Sequence, residues 1–157
     1  MSNPSPALLQ VEDTLRSVIQ TLIDGQEGFR TTADELKSET LRNLFLAESL
    51  KRAEFRGALE TLLHQEGVHD IDEIGTVSGA LHRAWGDIKA IFADSDRSLL
   101  ATAEQAEDAA VKTYTEALQK ELPLPVRQIL SSQSAHIQTV HDSIKSARDI
   151  GNLKSGE

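Results

Sequence analysis

LLQVEDTLRSVIQTLIDGQEGFRTTADEL, residues 8–36, decides the fold. Leu8, Leu15, Leu22, Phe29 and Leu36 recur at every seventh position, with Val11 and Val18 between them. An α-helix turns about 100° per residue, so this spacing lays one apolar seam along a helix that must face other helices. Ser5 and Pro6 supply a cap and a first-turn proline, and the predicted helix runs to about Lys37. Two glycines interrupt the seam in DGQEGF, residues 24–29. Glycine inside a helix costs roughly 1 kcal/mol relative to alanine, so each needs a reason. Gly25 falls at an inward position and Gly28 near the other flank. Their small size admits a bulky neighbour, with Trp85, Tyr114 and the Arg52 stem as candidates, or leaves space for a ligand beside Gln26.

Outward from this segment the helical period continues, and nothing alternates like a strand. Ser38 caps a second helix with the stripe Leu41, Leu44, Phe45, Phe55, Leu59, Leu62 and Leu63, ending near Gly67. GVHDIDEIGTVSG is the least helical stretch, and Val77, Leu81, Trp85, Ile88 and Phe92 then share one face of a shorter helix. DSD at 94–96 caps a third long helix, on which Leu100, Ala103, Glu107, Ala110, Tyr114 and Leu118 share a face. LPLPV, with Pro123 and Pro125, breaks it and starts a fourth, with Val126, Leu130, Ile137, Val140 and Ile144. Its end is expected to fray over residues 151–157. Two tight turns make two antiparallel hairpins, and a long crossover, about residues 68–95, joins them through the short helix. The predicted fold is therefore all-α: a single domain over residues 1–157, its bundle core about 6–150, in the ferritin-like four-helix arrangement. An ordinary up-down bundle with the short helix appended is the alternative.

Of the 157 residues, 39% are hydrophobic and only 4% aromatic, so the core must rest on Leu, Ile, Val and Ala. There is no cysteine, which excludes disulfides and thiolate metal ligands. The net charge of −9 disfavours nucleic acid and anionic membrane as partners, because no basic surplus exists to neutralise phosphates. No apolar run reaches the length of a membrane span, and MSNPSPALLQ lacks the pattern of a signal peptide. A cytoplasmic location follows as the expectation.

Several polar residues fall on the apolar stripes. Gln26 lies in the first stripe; Glu27 sits to one side unless the helix bulges between the glycines. Glu48 and Arg52 are central on the second helix, Glu107 on the third, Gln133 and His141 on the fourth. Reflecting each hairpin through its turn puts Gln26, Glu48, Arg52, Glu107 and His141 in one layer. Ionised groups in a core need partners or a cation. One reading is a structural network: Glu48 pairs with Arg52 at i, i+4, and Glu107 bonds His141 or the Tyr114 hydroxyl. The other is a metal site on Glu48, Glu107 and His141 with Glu27, holding iron or another divalent metal. Di-iron bundles pair Glu-x-x-His motifs, whereas this chain reads Glu48-x-x-Lys51 and Gln133-x-x-His136; its one Glu-x-x-His, Glu66 to His69, straddles Gly67. Arg52 also opposes a dication. Glu60 with His64, and Glu104 with Glu107, are weaker chelate candidates, with solvent the expected fate of Glu104. No phosphate loop, Ser-His-Asp set or Cys-His set is present, so nucleophilic hydrolase chemistry has no support.

LIDGQEGFRTTADEL, the segment with Phe45, Arg52 and Phe55, VSGALHRAWGDIKA, AEQAEDAAVKTYTEAL and the late HDSI together resemble a bacterial family of uncharacterised four-helix-bundle proteins grouped with the ferritin-like superfamily. The resemblance covers about residues 10–150. It implies the ferritin-like fold and a bacterial cytoplasmic protein, and no established activity. Ferritin-like relatives often bind two irons, act on oxygen or peroxide, or store iron. Glu48 and Glu107 match their ligands by phase and height, Glu27 is a displaced counterpart, and Lys51 and Gln133 stand where further ligands belong. The expected function is a non-catalytic or catalytically degenerate protein, with a link to stress, whose buried polar layer is mainly structural. A metalloprotein handling oxygen, peroxide or iron and a homo-oligomeric assembly module are the alternatives.

Overall fold

The computed structural model describes residues 6–65, 67, 85 and 95–155. Four helices account for nearly all of them: α1 (Pro6–Glu35), α2 (Glu39–Gln65), α3 (Asp96–Leu118) and α4 (Leu124–Ser155). The described residues contain no strand. None of the helices is long and apolar enough to cross a membrane. The expected short helix of the crossover lies outside the described residues, Trp85 excepted.

The heptad seam of α1 is buried as its spacing requires: Val11, Leu15, Val18, Leu22, Phe29 and Leu36 are all in the core. Leu44 is a correction. It is 45% exposed, because it sits about 100° around α2 from the line through Phe45, Arg52 and Leu59. α1 stops at Glu35, two residues earlier than expected, and Ser38 caps α2 through its hydroxyl, which accepts from the Leu41 N–H at 3.3 Å. Gly67, at φ 88°, follows the end of α2 in the left-handed conformation that closes helices, and its N–H donates to the His64 carbonyl at 3.0 Å. α4 stays helical past Gly151 to Ser155, where fraying was expected. A single glycine weakens a long helix without stopping it.

Contacts fix the directions. Phe29 meets Phe45, the Gln26 carbonyl meets Ser49, and Gly25 meets Arg52, so α1 and α2 are antiparallel. Tyr114 meets Gln133 and Asp108 meets His141, so α3 and α4 are antiparallel too. α1 also packs on α3, and α4 reaches α2 through His136 on Glu48 and Gln133 on the Phe55 carbonyl. The Asp96 carboxylate accepts from the N–H groups of Lys37 and Ser38, both at 2.8 Å, so α3 starts beside the α1–α2 turn. Helices α2 and α3 therefore point the same way and lie on a diagonal of the bundle.

Candidate functional site

Arg52 lies seven residues from both Phe45 and Leu59, so the helical repeat that buries them buries it as well. It is fully buried. Its Nε donates to Glu48 Oε1 at 2.8 Å, one turn back on α2. Nη1 and Nη2 donate to the two carboxylate oxygens of Glu107 at 2.9 and 2.5 Å, across the diagonal on α3. The guanidinium also stands 4.9 Å from the centre of the Phe29 ring. A Cβ on Gly25 would come within 3.3 Å of Arg52 Nη1, so the glycine makes room for this side chain. Gly28 does the same for Trp85, whose ring occupies the place of its missing Cβ and stacks edge-on to Phe29.

A second cation-capable group joins from α4. His136 Nε2 lies 3.0 Å from both oxygens of Glu48, and its ring packs edge-on against Phe55. The sequence signal that points to His136 is Gln133-x-x-His136. Beside this, the buried Tyr114 hydroxyl donates to Gln133 Oε1 at 2.7 Å, and Gln133 Nε2 donates to the Phe55 carbonyl at 3.2 Å. The layer thus ties all four helices together.

The remaining predicted residues lie elsewhere. Gln26 is half-buried, and the atom it contributes is its backbone carbonyl, which accepts from Ser49 Oγ at 2.8 Å. Glu27 is exposed on α1. His141 does not bond Glu107. It sits at the α3–α4 seam with Nε2 2.6 Å from Asp108, 4.0 Å from Glu104 and Nδ1 3.0 Å from Asp142. Glu104, expected in solvent, is buried and paired with Arg148. Glu60 accepts from Arg56 at 2.6 Å.

Burial disfavours the charged Arg52, yet its contacts with Glu107 and Glu48 outweigh that and hold its pKa above the ordinary range. Burial raises the Glu107 pKa, and Arg52 offsets only part of the rise. Burial also raises that of Tyr114, which keeps its hydroxyl a donor. For His141, desolvation works against protonation, but hydrogen bonds from its ring to Asp142 and Asp108 prevail and raise its pKa. Both ring nitrogens face carboxylates, which an imidazole can satisfy only as the cation.

The donor set at the centre is poorly matched to a metal. The guanidinium fills the space between Glu48 and Glu107, takes three of their oxygens and cannot lose its charge. Among the described residues, no group of three or more His, Asp or Glu side chains is placed to hold a metal ion.

Comparison with known families gives one assignment: residues 10–120 match the model described as "Domain of unknown function (DUF2383)". No curated protein matches the chain.

Proposed function

The chain belongs to the DUF2383 family, and on that premise we propose that it is a ferritin-like bundle without catalytic activity, its central cation supplied by Arg52 instead of a metal. In this reading the stretch from about residue 68 to about residue 95 forms the crossover. The parallel run of α2 and α3 supports it, since the chain must return along the bundle between them. The absence of cysteine supports a cytoplasmic location, and the likeness to bacterial bundles supports a bacterial one.

One observation carries the proposal: a fully buried arginine bonded to Glu48 and bidentate to Glu107. Buried networks of this kind fix helix register in some proteins. Here the network joins the diagonal pair α2 and α3, which no short loop connects. A protein of this design acts through its surface, and an association with stress is a role to be sought there.

The competing reading is a metal centre on Glu48, Glu107 and His141, with Glu27, handling oxygen, peroxide or iron. Metal content by mass spectrometry, after chelator-free purification and again after anaerobic Fe(II) loading and desalting, separates the two. The structural reading expects no retained metal and a destabilised Glu107→Ala variant. One or two metals per chain, lost in Glu107→Ala, overturn it.

A further inference from the structure

A second cluster of charges lies on the α3–α4 seam, apart from the Arg52 layer. His141 projects from α4 with its Nε2 2.6 Å from Asp108 and 4.0 Å from Glu104 of α3, and its Nδ1 3.0 Å from Asp142 of its own helix. Gln138 also donates to Asp142, at 3.0 Å. Arg148, two turns on, pairs with Glu104 and with Asp149. Lys145, between them, favours the charged form of Asp142, and Glu107 feels the charge of His141 without bonding it.

Past Ile144 the apolar hold of α4 on α3 is thin. Over residues 145–150 only Ala147 and Arg148 are half-buried, while Lys145, Ser146, Asp149 and Ile150 are exposed. The contacts of His141 and Arg148 with Asp108 and Glu104 therefore carry this end of the helix. The two cations do not respond alike to pH. Arg148 keeps its charge throughout. An imidazole between two carboxylates satisfies both only with both nitrogens protonated. Once it loses a proton, one nitrogen turns a lone pair towards a carboxylate oxygen, and Glu104 is left with Arg148 alone. We propose that the end of α4, from His141 onward, is a latch on α3, closed while the imidazole is a cation and open when it is neutral. Segments with few buried contacts open at low cost, so a small change in the hold shows as local opening and not as global unfolding. The hydrogen bonds that raise the His141 pKa place the change above its ordinary 6.5. Opening uncovers Ile144 and the α3 residues level with the latch, Leu100 and Ala103, all buried when it is closed. The inference does not depend on the role of the Arg52 layer.

Hydrogen exchange of the full chain, read by mass spectrometry and corrected for the intrinsic rate, tests this on either side of the titration, about one unit below and about two units above the ordinary 6.5. Protection over residues 141–150 should fall by at least about threefold between the two, while residues 124–135 of the same helix keep theirs. His141→Lys holds a cation at both pH values and should abolish the fall. Asp108→Asn lets a neutral imidazole accept from the new amide and should shrink it. Protection that falls equally along the whole helix, or nowhere, overturns the inference. So does a fall over residues 141–150 that persists in His141→Lys. Should that variant not fold, an undiminished fall in Asp108→Asn overturns it in the same way.

Discussion

At the scale of single residues, Arg52 and Glu107 depend on each other. Removing one partner of a buried ion pair leaves the other charge uncompensated, which costs about 3–5 kcal/mol, whereas replacing the pair with apolar groups of similar volume is often neutral. Glu107→Leu and Arg52→Met should each lower stability by about that amount. Their combination should recover a large part of the loss. Urea denaturation of the four proteins closes the double-mutant cycle, and additive losses would refute the coupling. Phase alone made Arg52 and Glu107 legible in the sequence, since each sits at a seven-residue interval from core positions. His141 was read at the right height but the wrong rotation: it meets Asp108, one residue and about 100° from Glu107. Reflection through a turn fixes height along a hairpin, not rotation about the helix axis. His136 was missed because a long imidazole at a stripe edge can still reach inward to Glu48.

At the scale of elements, glycines that look alike in sequence have different consequences. A Cβ on Gly28 would run into the rigid Trp85 ring, so Gly28→Ala should destabilise by about 1–3 kcal/mol through overpacking. No other element packs against Gly57, and Gly57→Ala should stabilise α2 by about 1 kcal/mol. Thermal melts of the two variants should therefore move in opposite directions; equal shifts would show that Trp85 does not seat on Gly28. Helix ends were legible wherever a side chain closes them, as Ser38, Ser95 and Pro123 do. What no local signal disclosed is the tie made by Asp96. It begins α3 yet accepts two backbone N–H groups from the α1–α2 turn, 58 and 59 residues away in sequence. Asp96→Ala removes both bonds, of which water can replace the exposed one to Lys37, and should cost about 0.5–1.5 kcal/mol in chemical denaturation, while Asp96→Asn, which keeps one acceptor oxygen, should cost less.

At the scale of the whole molecule, the shifted groups combine into a pH dependence whose sign can be worked out. The folded state raises the pKa of His141 above its ordinary 6.5, through hydrogen bonds to Asp142 and Asp108 that outweigh desolvation. That contribution to stability is fully present below 6.5 and is lost as pH rises through the higher folded value. Glu107 acts in the same direction. Burial makes its carboxyl hold a proton more tightly when folded, so its contribution is fully present below the ordinary 4.5 and is lost as pH rises through the higher folded value. Asp142 has the opposite sign: its hydrogen bond from His141 lowers its pKa, and what it contributes disappears only as pH falls below its ordinary 3.8. Stability should therefore be greatest in mildly acidic solution and decline as pH rises through the neutral range above 6.5. The net charge of −9 also grows more repulsive with pH, so the decline alone does not identify its source. Asp108→Asn separates the causes. It removes one carboxylate from His141 and leaves Glu104, Asp142 and Arg148 in place around it, so it should flatten the decline near the histidine's titration while barely changing overall repulsion. Urea midpoints of the two proteins across this range give the answer. A slope unchanged by Asp108→Asn would assign the decline to general repulsion or to the buried layer, and the α3–α4 seam would then be indifferent to pH.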